Sequence, residues 1–225
     1  MPDAMEALYP FLYSGTSDVD AVLAQVGQST RDKADEIVAL REQVAEADGA
    51  RIEECARRMA ARFSDGGRLF AFGNGGSSTD AQDLAGLFLG PAGEARALPA
   101  FGLTNDIAVV TALSNDVGFD VVFARQLGAF GRSGDIAVGL STSGNSANLV
   151  RAFDEGARRG MLTVGLAGYD GGRMAELESL DYLFVIPSAS VHRIQEAQTT
   201  LYHALWELTL RNLTALEDTS EGDHP

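Results

Sequence analysis

Positively charged residues are scarce in this sequence, and their scarcity limits the classes of molecule that the protein is expected to bind. Lys and Arg together number 17 against 32 Asp and Glu, so the formal net charge is −15 at pH 7. A field of that sign repels phosphodiester backbones and anionic lipid headgroups. We therefore expect no direct contact with nucleic acid or with a membrane, and any phosphate ligand must be held by local hydrogen-bond donors.

Cysteine and long apolar runs are also nearly absent. Cys55 is the only cysteine, so no disulfide can form within the chain, which is typical of a reducing compartment. No apolar run approaches the ~20 residues of a membrane span, and Met1–Glu6 lacks the basic start and apolar core of a signal peptide. These features predict a cytoplasmic protein. The 225 residues, 45% of them hydrophobic, suit one domain with a full core.

The spacing of apolar residues divides the chain into an N-terminal helical part and a remainder in which strands alternate with helices. From Asp18 to about Asp48 apolar residues recur at helical spacing, Gly49 breaks the pattern, and a second helix follows from Ile52 to Phe63. After it, buried-strand patterns alternate with helical ones. The strand candidates are Leu69–Phe72, Leu98–Leu103, Ile136–Leu140, Leu162–Leu166 and Tyr182–Ile186.

This alternation predicts an α/β fold of the doubly wound class, with a mainly parallel five-stranded sheet between helices. A long closing helix is predicted from about His192 to Leu213. Residues 1–48 form an N-terminal extension and helix, residues 49–216 the α/β domain, and residues 217–225 an acidic tail expected to be disordered. Within the extension, the apolar strip Leu8–Tyr13 is expected to pack on the core or on a neighbouring subunit.

The most informative segment follows the first predicted strand. Gly73–Ser77 passes from glycines into hydroxyl residues, and Ser78 and Thr79 continue them into a helix. Glycines let the backbone approach a bound anion, while the hydroxyls and the helix N-terminus supply donors for it. An ordinary strand-to-helix turn with a serine cap has the same local pattern.

A second segment of this kind favours the ligand-binding interpretation. The strand pattern Asp135–Leu140 ends in Ser141–Ser146, where four hydroxyls in six residues open a helix. Ligands of doubly wound sheets bind beyond the carboxyl ends of the strands. The two segments together therefore predict one phosphorylated ligand held between them.

Four motifs, in order, resemble the signatures of sugar-isomerase (SIS) domains of the phosphoheptose isomerase group: Gly73–Ser77, Ser114–Asp116, Ser141–Ser146 and Arg193–Glu196. The resemblance extends from about Ile52 to Leu213. It implies a flavodoxin-like sheet, a homotetramer with sites shared between subunits, and isomerisation of sedoheptulose 7-phosphate. By motif, the resemblance assigns sugar-phosphate contacts to Asn74, Gly75, Gly76, Ser77, Asn115, Asp116, Ser141, Thr142, Ser143, Ser146 and Gln195.

The resemblance also implies positions for catalysis and for a metal, and there the sequence departs from the family pattern. The enzymes that it resembles carry a His and, four residues later, a Glu on the first helix, and a Gln and a later His on the last. Asp83 and Leu87 stand at the first pair of positions, whereas Gln195 and His203 keep the second. Isomerisation needs a base near carbon and an acid near oxygen, so His203 and Asp83 are the catalytic candidates. Asp83, Gln195 and His203 remain as candidate zinc ligands.

Leu87 limits what this site is expected to do. An alkyl side chain neither transfers a proton nor binds a metal, and the loss of one acid–base partner costs about 10²–10⁴ in rate. Zinc binding is expected to be weak at most, because the remaining donors are mixed. Asp83 is the first candidate for a substitute base, with Glu196, Asp116 and Asp80 as alternatives.

Three functions fit these observations. The first is a phosphoheptose isomerase-like aldose–ketose isomerase with a departed active site, favoured by the resemblance and by the retained Gln195 and His203. The second is a non-catalytic SIS protein that senses a sugar phosphate or binds a protein partner, favoured by Leu87. The third is a structural tetramer with a vestigial pocket, which the intact hydroxyl segments disfavour.

Overall fold

The structure is a computed structural model that describes residues 19–91 and 96–221. Its chain divides into a unit of residues 1–39 and a unit of residues 40–225, whereas the sequence predicted a boundary after residue 48. The predicted docking strip Leu8–Tyr13 lies outside the described residues. The candidate site described below belongs to the second unit alone.

The first helix is longer than the sequence predicted. Helix α1 (Val19–Ser64) runs for 46 residues without interruption, so Gly49 does not end it. A glycine inside a helix costs about 1 kcal/mol relative to alanine. Packing overrides that cost here, because Val44 and Ile52, on either side of the glycine, are both buried.

Five short apolar segments form an all-parallel sheet in the order β2-β1-β3-β4-β5. Every residue of β1, β3 and β4 is buried, as expected for strands covered on both faces. The predicted doubly wound, five-stranded parallel sheet is therefore confirmed. The strands are β1 (Leu69–Gly73), β2 (Ala100–Gly102), β3 (Ile136–Ser141), β4 (Leu162–Gly168) and β5 (Tyr182–Ile186).

Helices connect and flank the strands. Two short 3₁₀ turns, Phe119–Val121 and Gly172–Glu176, complete the connections. Within the described residues, no helix is both long and apolar enough to cross a membrane. The helices are α2 (Gly76–Leu89), α3 (Ile107–Asp116), α4 (Val122–Phe130), α5 (Ala147–Arg158) and α6 (Val191–Glu221).

The closing helix α6 reaches further than predicted. It passes Leu213 and continues through Glu221, so residues 217–221, predicted as part of a disordered tail, are helical. An ion pair of 2.7 Å between Arg96 and Glu217 ties this last part of the helix to the segment before β2. Residues 222–225 lie outside the described part of the chain.

The chain order reverses between β1 and β3, and this reversal locates the candidate site. In the core beneath it, the ring of Phe72 packs against those of Phe123 and Phe153, with centroids 5.4 and 5.3 Å away. At the carboxyl ends, Gly73 of β1 pairs in register with Leu140 of β3. A crevice opens where strand order reverses in such sheets, and ligands bind there. The two predicted phosphate segments begin side by side at this point.

Candidate functional site

The segment that follows β3 forms a turn in which its own hydroxyls make hydrogen bonds within the segment. Ser141 Oγ accepts a hydrogen bond from Gly144 N at 3.1 Å and lies 3.4 Å from Ser146 Oγ. Ser143 Oγ accepts from Asn145 N at 3.2 Å. A hydroxyl carries one donor and two acceptor sites. Ser143 therefore keeps its hydroxyl proton for a ligand, whereas Ser141 or Ser146 gives one proton to the bond between their two oxygens.

The two predicted segments meet in one small pocket of about 120 Å³. That volume is well below the ~300–1,000 Å³ of pockets that enclose a whole small molecule, and it suits a phosphate group. Of its seven lining residues, six were predicted from the sequence as phosphate contacts, and that role stays a prediction. The lining residues are Asn74, Ser77, Leu140, Ser141, Thr142, Ser143 and Ser146.

Both helices that begin at this pocket have open N-termini. Helix α2 follows Gly75, with φ of +55°, and α5 follows Ser146; neither residue makes a side-chain capping bond. Helix α3, whose first turn does not line the pocket, is capped instead, because Asp106 accepts from Ala108 N and Val109 N at 3.1 Å each. Ser77 N, Ser78 N and Leu149 N bond to the backbone carbonyls of Asn74, Gly75 and Ser146. The other N–H groups of each first turn and the positive end of each helix dipole are left to favour an anion.

Glycine is required where the segment after β3 packs on the 3₁₀ turn Gly172–Glu176. Gly144 has φ of +64°, and a Cβ on it would lie 1.9 Å from the carbonyl oxygen of Gly171. The Gly144 carbonyl in turn accepts a hydrogen bond of 3.0 Å from Met174 N. Backbone contacts therefore set the curvature of the segment, independently of its hydroxyls.

An amide pair that the sequence analysis missed links the two phosphate segments. Asn74 and Asn148 exchange two hydrogen bonds of 2.9 Å each, and Asn148 is only 2% exposed. The available signal was an Asn two residues after Ser146, inside a helical pattern that disfavours Asn. The pair holds the end of β1 against the first turn of α5.

The remaining predicted residues lie where α2 packs against α6. Gln195 lies directly against Gly76, where an added Cβ would be 2.4 Å from Gln195 Nε2. The same Nε2 donates to Asp80 Oδ2 at 3.2 Å. Burial raises the pKa of Asp80 above its ordinary value; the Gln195 hydrogen bond opposes this shift and the nearby Asp83 carboxylate adds to it.

Further along the two helices, Asp83 faces Tyr202 and His203. The Tyr202 hydroxyl donates to Asp83 Oδ2 at 2.7 Å, and His203 Nε2 lies 3.8 Å from the same oxygen. Burial raises the pKa of the Tyr202 phenol far above its ordinary value, and its hydrogen bond to Asp83 raises it further. The phenol therefore donates at neutral pH. The Asp83 and His203 side chains themselves remain 57% and 39% exposed.

Three other residues predicted from the sequence do not contact the phosphate pocket or the Asp83–Tyr202 pair within one chain. Asn115 and Asp116, at the end of α3, are exposed and bond to each other, Nδ2 to Oδ1, at 2.8 Å, and neither lines the phosphate pocket. Glu196 is paired with Arg193. Of the four carboxylates considered as a base, Asp80 and Asp83 are the two that lie beside retained family residues.

Comparison with known proteins agrees with this fold. The model of the SIS domain family matches residues 34–168. Phosphoheptose isomerase of Aquifex aeolicus is 40% identical over 158 residues, which span 70% of this chain and 82% of that protein. The chain belongs to the SIS-domain family, in its phosphoheptose isomerase group. The family predicted from the four motifs is thereby confirmed.

Two further relatives extend the likeness over nearly the whole SIS protein. Phosphoheptose isomerase of Nitratidesulfovibrio vulgaris is 39% identical over 203 residues, or 88% of this chain and 97% of that protein. The solved phosphoheptose isomerase of Neisseria gonorrhoeae superposes with a TM-score of 0.75 at 34% identity, covering 82% of this chain and 98% of that one. The likeness therefore extends over most of the chain.

The side chains of this SIS protein do not fit the zinc site that the resemblance implied. Half-buried Leu87 offers no donor, and Gln195, whose amide nitrogen donates to Asp80, offers only a neutral amide oxygen. Among the described residues, no three His, Cys, Asp or Glu side chains come close enough together to hold a metal ion. Structural and catalytic zinc sites need three or four such ligands, so we derive no step through a metal.

Two larger grooves on the SIS domain lie away from this chemistry. One, of about 710 Å³, is lined mainly by α4 and α5 and includes Arg125 and Arg159. The other, of about 510 Å³, includes Phe70, Phe101 and Phe130. Neither groove contains a residue of the two phosphate segments, so the chemistry of the lining, rather than its volume, identifies the candidate site.

Proposed function

We propose that this protein binds a sugar phosphate, with the phosphate in the pocket at the ends of β1 and β3, and that it is an aldose–ketose isomerase with an altered catalytic face. The pocket carries the proposal. The hydroxyls of Ser141, Ser143 and Ser146 line it, and helices α2 and α5 begin beside it without side-chain caps. Since the named relatives are phosphoheptose isomerases, a heptose phosphate is the first ligand to test.

One observation favours a second function. The carboxylate position of the family pattern is Leu87, which transfers no proton. A protein that senses a sugar phosphate without converting it would keep the phosphate pocket and lose this partner. The two functions share the binding step and differ only in whether proton transfer follows it.

Thermal unfolding with added sugar phosphate tests the shared binding step. A ligand at 100 times its Kd stabilises the folded state by about 2.7 kcal/mol, so the wild-type melting temperature should rise with sedoheptulose 7-phosphate. The Ser141→Ala/Ser143→Ala variant should lose most of that rise. Ser133→Ala/Ser179→Ala, which removes two hydroxyls outside the pocket, should keep it. Equal rises in the wild type and the Ser141→Ala/Ser143→Ala variant would contradict the proposal.

We further propose a cytoplasmic homotetramer, with helix α1 contributing to its assembly. Within residues 19–39, Val22, Leu23 and Val26 recur at helical spacing and are 48%, 62% and 58% exposed. An apolar stripe of this kind is typical of a protein–protein surface. Light scattering should give a smaller mass for Leu23→Glu/Val26→Glu than for Ala24→Glu/Gln28→Glu, which adds the same charges elsewhere on the helix. A monomeric wild type would contradict the tetramer.

A further inference from the structure

The hydrogen bond between Tyr202 and Asp83 joins two helices through residues 119 positions apart in the chain. The donor is buried, with Tyr202 only 2% exposed, whereas the Asp83 side chain is 57% exposed. An exposed carboxylate ordinarily samples several rotamers, and fixing it costs conformational entropy. Here a rigid, buried phenol holds one of its oxygens in place before any ligand arrives.

The same phenol also fixes the neighbouring imidazole. The rings of Tyr202 and His203 stack with centroids 5.2 Å apart and 28° between their planes, and the Trp206 ring meets His203 edge-on at 6.3 Å. His203 Nε2 thereby lies 3.8 Å from Asp83 Oδ2. Among the described residues, no donor bonds to Oδ1, the other oxygen of Asp83.

We propose that Tyr202 is a positioning residue that holds Asp83 as the base in place of the carboxylate missing at Leu87. The inference rests on the proposed sugar-phosphate function and deepens it. The Tyr202 hydroxyl occupies Oδ2 and restricts the carboxylate, which leaves Oδ1 directed toward a ligand in the cleft. His203 stands beside it as the acid for the sugar oxygen.

The proton transfers balance without a further reactant. The C–H bond beside the ketose carbonyl breaks, and its proton passes to Asp83. The electron pair forms the carbon–carbon double bond of an enediol, while the carbonyl oxygen takes a proton from His203. The reverse transfers, at either carbon, return the proton of Asp83 to carbon and a hydroxyl proton to His203, and they release ketose or aldose.

Deuterium exchange tests the positioning role directly. Sedoheptulose 7-phosphate is incubated with the full-length protein in D₂O, and loss of the C1 proton signal is followed by NMR. Tyr202→Phe keeps the buried ring and removes only the hydroxyl. It should slow exchange by about 10- to 100-fold, since misplacing a reacting group by about 1 Å has effects of that size. The thermal shift with the same sugar phosphate should stay at the wild-type value.

A matched variant separates positioning from general stability. Tyr182 is also buried, and its hydroxyl donates to Glu54 Oε1 at 2.8 Å, away from the candidate site. Tyr182→Phe therefore removes a similar bond and should leave both exchange and ligand binding unchanged. Prior dialysis against EDTA should also leave the wild-type exchange rate unchanged, because hydrogen bonds rather than a metal hold this face.

The contrary outcomes are distinct. Equal exchange rates in the wild type and Tyr202→Phe would overturn the positioning role, as would exchange that EDTA abolishes and zinc restores. A wild type that binds the sugar phosphate but exchanges no proton would overturn it too, while leaving the binding proposal intact. A wild type that shows no binding would overturn the proposed function itself, and this inference with it.

Discussion

The two sides of the candidate site are built from different chemistry. On the loop side, where β1 and β3 end, the groups proposed to bind a ligand are hydroxyls and helix N-termini that follow glycine turns. On the helix side, where α2 meets α6, they are side chains tied to each other in pairs, Asp80 with Gln195 and Asp83 with Tyr202. From the motif resemblance, we predict that the loop side keeps the family pattern and that the helix side departs from it.

This contrast shows how binding and chemistry can separate in one fold. Loop geometry depends on backbone conformation and on glycine positions, so side-chain changes on a neighbouring helix leave it in place. Proton transfer depends on which ionisable groups occupy two helix positions, and those are Asp83 and Leu87 here. A protein can therefore keep a phosphate pocket while its catalytic face changes.

The largest expected effect comes from restoring the family pattern on the helix side. In the presence of zinc, Asp83→His/Leu87→Glu should raise the rate of sedoheptulose 7-phosphate isomerisation by about 10²–10⁴, the range associated with one acid–base partner. The measurement is turnover by purified, metal-analysed protein. This variant tests the contrast between the two sides of the site, because it alters only the helix side.

The control for that variant is Asp83→Asn/Leu87→Gln, which introduces polar side chains of similar size without an ionisable group. It should show no gain over the wild type. Wild-type turnover at the ordinary enzyme rates of about 1–10³ s⁻¹ would break the comparison, because it would show that the helix side retains full chemistry.

A change on the loop side should have the next largest effect. Gly144→Ala places a Cβ 1.9 Å from the carbonyl oxygen of Gly171 at φ of +64°, and strained backbone of this kind costs about 1–3 kcal/mol before the clash is counted. Both the melting temperature and the shift with sugar phosphate should fall. Gly134→Ala is the control, because its φ is +94° but nothing lies within 4 Å of the added Cβ. Equal losses in the two variants would show that the loop is not braced by the 3₁₀ turn.

The smallest expected effect concerns Asp80 and pH. Because its pKa is raised on folding, ionisation of Asp80 weakens the folded state, and stability is lost as pH rises through the folded-state pKa. Asp80→Asn should therefore melt slightly higher than the wild type at pH 7, by less than the ~2–4 °C that 1 kcal/mol corresponds to. At about pH 3, below the ordinary Asp value, the difference should vanish. Asp65→Asn, at an exposed position, controls for the removal of one negative charge. An equal rise in its melting temperature would show that burial of Asp80 is not the cause of the effect.

Most of the fold could be predicted because its signals are local. The predicted strand Tyr182–Ile186 coincides with β5, and α5 begins directly after the hydroxyl segment Ser141–Ser146, as predicted. Both signals, an apolar run and a hydroxyl-rich helix start, lie within a few residues. Helix ends were less predictable. Gly49 lies inside α1, and α6 continues through Glu221, because packing along a helix overrides a single glycine or an acidic sequence.

The candidate site divides in the same way. Six of the seven residues around the phosphate pocket follow from two short hydroxyl segments. Asn148 and Tyr202 do not, because their partners, Asn74 and Asp83, are 74 and 119 positions away. No local pattern marks a side chain whose role depends on a distant one.

The sequence by itself determined which segments become strands and helices, because backbone conformation follows from neighbouring residues. It also determined where glycines and hydroxyls follow a strand, which is the pattern of the proposed phosphate-binding turns. Only the tertiary structure decided that these turns meet, through the reversal of strand order between β1 and β3. It also decided that Asp83 accepts a hydrogen bond from Tyr202, because α2 packs on α6. The physical reason is range: propensities act over a few residues, whereas side-chain hydrogen bonds between helices depend on how the whole sheet positions them.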